Sequence, residues 1–273
     1  MKLIQEVEEL IESGEYEEAL TILNSILKED PDNITALKIK AEIFYIQNQL
    51  ALSLELYMQI LHLVKDRLPT KEKGDIYELY ETYTSIGRIH YLMNNFQTST
   101  QYYGNALNTF NKLDSKSQTQ LFESKLFLLD TMADVQKQLK NYSEARKLYH
   151  KVLQLHNRHG NLYGRAEVLS DIADMDFKLK KYSKSLKSYK EALRIYKKSR
   201  KVAESGVCHY NIGKIYYIMN NTQNSLTHLN NSVSLFEKFY EAHSNGNFMK
   251  LSEDYFYKGA KKLIKKIQSS GKK

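Results

Sequence analysis

Two columns of small residues run through this chain in step, and no other feature narrows its fold so far. Six segments align with one another: GEYEEAL (14–20), NQLALSL (48–54), NNFQTST (94–100), KNYSEAR (140–146), KKYSKSL (180–186) and NNTQNSL (220–226). Each holds a small residue at the same place: Ala19, Ser53, Ser99, Ala145, Ser185 and Ser225. Twelve residues earlier stands another small or short residue: Val7, Ala41, Gly87, Ala133, Ala173 and Gly213. Both columns advance by 34, 46, 46, 40 and 40 residues, so the insertions fall between units rather than within them. Self-similarity of this kind marks a repeat architecture.

Three further columns accompany the small residue of each segment. Three positions before it is an aromatic or apolar residue in five of six cases: Tyr16, Leu50, Phe96, Tyr142 and Tyr182, with Thr222 the exception. Four positions after it is a large residue: Leu23, Tyr57, Tyr103, Tyr149, Tyr189 and Leu229. Three beyond that is a medium or small one: Ile26, Ile60, Ala106, Val152, Ala192 and Ser232. Offsets of 3, 4 and 3 put all four columns on one helical face. Each unit therefore contains an amphipathic helix whose small position lets another helix approach. Gly87 and Gly213 fit this, because a mid-helix glycine costs about 1 kcal/mol relative to alanine and needs a compensating close crossing. With 2 Pro and 11 Gly in 273 residues, the chain lacks the turn residues a set of strands requires. An all-helical chain is the expectation.

The pattern resembles that of tetratricopeptide-repeat proteins, which place Leu-Gly near the middle of helix A and Ala-x3-aromatic in helix B. Ile86-Gly87, Met132-Ala133, Ile172-Ala173 and Ile212-Gly213 match the first element. Ala145-x3-Tyr149 and Ser185-x3-Tyr189 match the second, and Pro31 stands at the repeat-ending proline. The second unit departs with Lys40 where an apolar residue is expected, and the first lacks both the aromatic and the glycine of helix A. The resemblance implies a right-handed α-α superhelical solenoid of about six hairpins, of the family's long-repeat, about 40-residue type. The units would span about 1–33, 34–67, 70–115, 116–160, 161–200 and 201–246, with longer corners at LPTKEKGD (68–75) and KLDSKSQ (112–118). Residues 247–273 read as a basic capping helix and tail, with Phe248, Leu251, Phe256, Ala260, Leu263 and Ile267 inward.

The resemblance also implies a site: members of the family bind extended peptides or partner helices in the concave groove lined by helix A. The matching positions are Lys38, Glu42 and Tyr45; Thr84, Arg88 and Tyr91; Asp130, Thr131, Asp134 and Lys137. Further along they are Ser170, Asp171, Asp174 and Phe177, then Tyr210, Asn211, Lys214 and Tyr217. Asn211 stands where long-repeat relatives place an asparagine that bonds ligand backbone. No three consecutive units carry the carboxylate-clamp pattern of chaperone-binding relatives. Asp130, Asp134, Asp171 and Asp174 share helical faces on two successive groove helices. Two readings stay open: a basic partner segment flanked by Arg88 and Lys214, or internal pairing of these acids with Lys137, Lys178 and Arg88.

Charge refines the picture. The formal net charge is +8, yet residues 1–30 hold nine acids against two lysines, while 247–273 hold eight lysines against two acids. Lys180 to Lys201 holds ten basic residues against Glu191 alone, with Tyr182, Tyr189 and Tyr196 seven apart. Its lysines follow the side opposite the tyrosines and read as a solvated face, which argues against nucleic acid as the partner. The family's peptide-sensing bacterial regulators and a nucleic-acid-binding solenoid are the alternatives to a scaffold or adaptor. The acids within MKLIQEVEELIESGEY argue against a signal peptide, and no apolar run reaches the roughly 18 residues of a membrane helix. One cysteine, Cys208, fits a cytoplasmic protein and a buried apolar role. There is no phosphate loop, nucleophile elbow or HExxH motif, so a non-enzymatic protein without cofactor is expected. His156 and His159 have no acid or cysteine nearby to complete a metal site, and the groove aspartates lack the loop carbonyls of a calcium site.

Overall fold

The computed structural model describes residues 2–67, 73–242 and 251–270, and among them the secondary structure is helical throughout. The helices are α1 (Lys2–Ser13), α2 (Tyr16–Glu29), α3 (Ile34–Ile46), α4 (Leu50–Arg67), α5 (Lys73–Leu92), α6 (Phe96–Phe110), α7 (Ser115–Gln120) and α8 (Phe122–Gln138). They continue as α9 (Tyr142–His159), α10 (Leu162–Lys178), α11 (Tyr182–Lys198), α12 (Val202–Ile218), α13 (Thr222–Ala242) and α14 (Leu251–Ser270). The chain forms two compact units, Met1–Lys140 with α1 to α8 and Asn141–Lys273 with α9 to α14.

Inside each unit the fold follows from the two small columns. Val7, Ala19, Ala41, Ser53 and Ser99 in the first unit, and Ala145, Ala173, Ser185 and Ser225 in the second, are fully buried. The serines do more than stay small. Ser53 Oγ donates to the Ala41 carbonyl at 2.7 Å and Ser99 Oγ to the Gly87 carbonyl at 2.8 Å. Ser185 Oγ donates to the Ala173 carbonyl at 2.7 Å and Ser225 Oγ to the Gly213 carbonyl at 2.9 Å. One column thus bonds the other across the helix pair, satisfying a buried hydroxyl that would otherwise be unpaired. The large residue one turn on closes the crossing. A Cβ on Gly87 would lie 2.9 Å from Tyr103 Cδ1, and one on Gly213 would lie 2.8 Å from Leu229 Cγ.

The helix-A to helix-B corners are equally regular. Gly14, Asn48, Asn94, Lys140, Lys180 and Asn220 all have φ between 58° and 84°. At Asn94, the Asn94 and Asn95 amides donate back to the Tyr91 and His90 carbonyls, and Lys180 and Asn220 repeat the arrangement. This left-handed closure suits glycine and asparagine and strains a lysine. The stretch 112–118, expected as a corner, instead leads into α7, because the Asp114 carboxylate accepts the Ser117 amide at 2.8 Å and starts a helical turn. In the other expected corner, residues 68–72 lie outside the described residues, as do Phe248 and the side chain of Leu251.

In the second unit α14 packs on α12 and α13, with Ala260 and Ile267 buried beside Tyr210 and Leu229. The lysines Lys180, Lys184, Lys187 and Lys198, together with Arg194, are exposed on the far side of α11 from buried Ser185, Tyr189, Ala192 and Tyr196. A buried ion pair ties α9 to α10: Arg146 Nε lies 2.7 Å from Asp176 Oδ1, and the Asp176 side chain is 1 % exposed. On α12 and α13, His209 Nδ1 and His228 Nδ1 approach to 3.0 Å, so one ring must accept and stay unprotonated there. Burial, with Lys197 and His228 nearby, lowers His209 to about 4. Burial with Lys190 and Lys197 lowers His228 as well, and the Tyr216 ring packs beside it.

Two measurements test this packing. Gly213→Ala pushes a methyl into Leu229 and is expected to destabilise by about 1–3 kcal/mol in chemical denaturation. Gly104→Ala, where a Cβ meets nothing within 4 Å, is expected to stabilise by about 0.5–1 kcal/mol. Because folded His209 takes its proton near pH 4 and an ordinary histidine near 6.5, the unfolded chain binds more protons between these values. The melting temperature should therefore fall as pH drops from 6.5 toward 4, and His209→Gln should flatten that slope.

Candidate groove sites

In the first unit the faces of α3, α5 and α8 enclose a cleft of about 380 Å³, lined by Lys38, Glu42, Tyr80, Glu81, Thr84, Ser85, Arg88, Glu123, Ser124 and Phe127. Lys38 Nζ lies 3.3 Å from Glu78 Oε1 and pairs with Glu81. Burial opposes the charge on Lys38, but Glu81 and Glu78 outweigh it and hold the ammonium above its ordinary pKa. The Arg88 guanidinium lies 4.1 Å from the centre of the Tyr45 ring, which fixes its plane. Phe127 stays 49 % exposed, an apolar shelf at the edge of a polar cleft.

The groove residue that follows each small position of helix A sits above the core tyrosine column, fifteen residues before it. Tyr57 donates to Glu42 at 3.5 Å, and Tyr189 donates to Asp174. Burial pushes Tyr57 up to about 12, and burial together with Asp174 raises Tyr189 well above its ordinary value. In the α5/α6 hairpin the corresponding residue is Arg88, a donor only, and among the described residues the fully buried Tyr103 hydroxyl has no hydrogen-bond partner.

Of the residues expected in the groove, Lys38, Glu42, Thr84 and Arg88 line this cleft. Tyr91 packs against Phe96, ring centres 5.7 Å apart, at the α5/α6 corner and is not among its walls. Asp130, Asp134 and Lys137 lie half-buried on α8, where Lys137 Nζ is 2.5 Å from Asp134 Oδ1. Thr131 bonds its own helix at the Phe127 carbonyl. In the second unit Asp171 is half-buried on α10, Asp174 holds the Tyr189 hydroxyl, and Ser170 bonds the Ala166 carbonyl. Phe177 packs edge-on to Tyr182 at 5.8 Å, with Lys214 Nζ 4.9 Å from its ring centre. Asn211 is half-buried on α12. Tyr210 is covered instead of presented: it is 8 % exposed and lies edge-on to Phe256 of α14, ring centres 5.4 Å apart. Tyr217 and Lys214 line a second cleft of about 450 Å³ between α12 and α14. Cys208 is 1 % exposed, and burial pushes its thiol up to about 12, as suits an apolar core residue.

Sequence reasoning missed Tyr80, Glu81, Glu123, Ser124 and Phe127. The signal was present: Glu81 lies three residues before Thr84, and Phe127 and Glu123 lie three and seven before Asp130. They are the same faces continued toward the helix N-termini.

The geometry can be set beside known proteins. Residues 126–198 match the sequence model of the tetratricopeptide repeat. No curated protein matches the sequence. The apo form of RapI resembles this chain with a TM-score of 0.61 at 18 % identity, over 85 % of this chain and 83 % of that one. BtubC (BKLC) from P. vanneervenii does so at 0.60 and 15 %, over 92 % and 95 %. YrrB, described as a TPR protein with an unusual peptide-binding site, does so at 0.53 and 13 %, over 78 % and 91 %. Residues 126–198 are tetratricopeptide repeats by sequence, and the chain shares the all-α repeat fold of these structures.

The groove and core roles separate by mutation. Phe127→Ser, at an exposed position, should leave stability within about 0.5 kcal/mol of the parent. Tyr189→Phe, which removes the bond to Asp174, should cost about 1 kcal/mol by the same denaturation measurement.

Proposed function

We propose that this protein is a non-enzymatic interaction scaffold that holds an extended peptide segment of a partner protein against its helix-A faces, with a basic residue of that segment in the α3–α5–α8 cleft. The observation that carries this is the cleft itself, whose walls set three carboxylates, Glu42, Glu81 and Glu123, beside one exposed aromatic, Phe127. Lys38 shares Glu78 and Glu81, Glu42 accepts from Tyr57, and Arg88 lies on the Tyr45 face, so exposed Glu123 beside Phe127 is the carboxylate that an incoming cation meets first. A lysine or arginine next to an apolar residue complements such walls in charge and shape. Asp130 and Asp134 continue the α8 face beyond Phe127 and extend the acidic track. Asp171 and Asp174 give α10 a similar character in the second unit.

The fold supports the general role, because solenoids of this kind offer extended binding surfaces. YrrB, a neighbour with an unusual peptide-binding site, points the same way. No helix among the described residues is long and apolar enough to cross a membrane. A single cysteine supports placing the proposed activity in the cytoplasm.

The test is fluorescence anisotropy with labelled peptides of alternating lysine and leucine, alternating glutamine and leucine, and alternating glutamate and leucine. The lysine peptide should bind best to the first unit's cleft, and Glu123→Lys combined with Phe127→Ser should weaken it about tenfold or more. Equal binding by parent and variant would remove the reading.

A further inference from the structure

The second cleft, between α12 and α14, has the opposite character. Its walls are Tyr210, Lys214, Tyr217, Ile218, Tyr255, Gly259, Lys262, Leu263 and Lys266: three ammonium groups and, among the described residues, no carboxylate. The neighbouring acids face other cations. Asp254 pairs with Lys258 at 2.6 Å, and Glu237 lies 3.7 Å from Lys261 and accepts the Tyr257 hydroxyl at 3.2 Å. Two of the three cleft cations lie near rings: Lys214 is 4.9 Å from the Phe177 centre and Lys266 5.5 Å from the Tyr217 centre. Apolar surface is exposed between them, with Tyr255 63 % and Ile218 39 % accessible.

The cleft exists because α14 carries Gly259 at the crossing. A Cβ there would lie 3.0 Å from both Cε2 and Oη of Tyr210, so the missing side chain lets the tyrosine ring enter and leaves space beside it. A capping helix needs only an apolar inner face to protect the end of a repeat array. Lys262 and Lys266, one turn apart beside Leu263 on the edge facing α12, go beyond that need.

We propose that the α12–α14 cleft is a second binding site, which takes an acidic peptide segment of a partner protein in which glutamate or aspartate alternates with large apolar residues. Carboxylates on one side of such an extended segment meet Lys214, Lys262 and Lys266. Its apolar side chains lie on Tyr217, Ile218, Tyr255 and Leu263. The site is independent of the first unit's cleft, and its ligand is opposite in sign.

The probe is a labelled peptide of alternating glutamate and phenylalanine, with its glutamine counterpart as control, titrated against the full chain. The expected result is binding of the acidic peptide only, weakening as salt rises, with a loss of about tenfold or more in Lys214→Glu combined with Lys262→Glu. Lys187→Glu, at an exposed lysine of α11 that lines neither cleft, should leave this binding unchanged. Circular dichroism melting checks that the variants fold, and Lys262→Gln alone, at an exposed position, provides a milder variant with a smaller loss. Equal affinity for both peptides, or for parent and variants, overturns the proposal. So does binding of the lysine variants' parent only to vesicles containing anionic lipid, or a lysine-dependent self-association of the chain that excludes the peptide.

Discussion

The contact on which everything else rests is the one between a serine hydroxyl or alanine methyl on one helix and the backbone of its predecessor twelve residues earlier. At this spacing nothing larger fits, since the carbonyls of Ala41, Gly87, Ala173 and Gly213 each lie within 2.9 Å of a serine oxygen. Close packing makes the crossing intolerant of even one added methyl where a ring already fills the space, as Tyr103 does over Gly87. The hairpin is thereby fixed in angle and register before any neighbour joins it. Stacked hairpins then bury one face of each helix and leave part of helix A exposed, as at the cleft of α3, α5 and α8.

That freedom is incomplete, and the reason is the tyrosine column. Its hydroxyls come up beneath the groove and need acceptors, so the residue following the small position in helix A serves two purposes. Glu42 and Asp174 accept from Tyr57 and Tyr189, and Glu42 also lines the α3–α5–α8 cleft. Where Arg88 replaces the acid, the Tyr103 hydroxyl is left without a hydrogen-bond partner among the described residues. A buried unpaired hydroxyl costs about 1–3 kcal/mol, so a cation at this one groove position is held against a structural preference for an acid.

Most of the hairpin geometry was legible in the sequence because it depends on side-chain size, and size repeats. The small columns, the tyrosine column and the solvated lysines of α11 all appear as spacing. Interactions made once do not. Nothing in the spacing of Arg146 and Asp176 announces a buried ion pair, and the His209–His228 contact joins residues with no counterpart in other units. Tyr210 shows the same limit: its position in the repeat assigns it to the groove, and α14, which belongs to no repeat, covers most of it and makes it a wall of the α12–α14 cleft. Phe127 and Glu123 were overlooked because the groove positions were read over the middle of helix A alone, one turn short of its start.

The net charge of +8 is a poor guide to what this surface binds. Exposed charges separated by more than about 8 Å are largely screened at physiological salt, so a ligand responds to the few groups lining the cleft it enters. By that measure the α3–α5–α8 cleft sets three glutamates against one lysine and one arginine, and the α12–α14 cleft has three lysines and, among the described residues, no acid. The lysines of α11 that dominate the sequence line neither cleft. They raise the isoelectric point, and on the reading proposed above recognition falls to the few residues that line the two clefts.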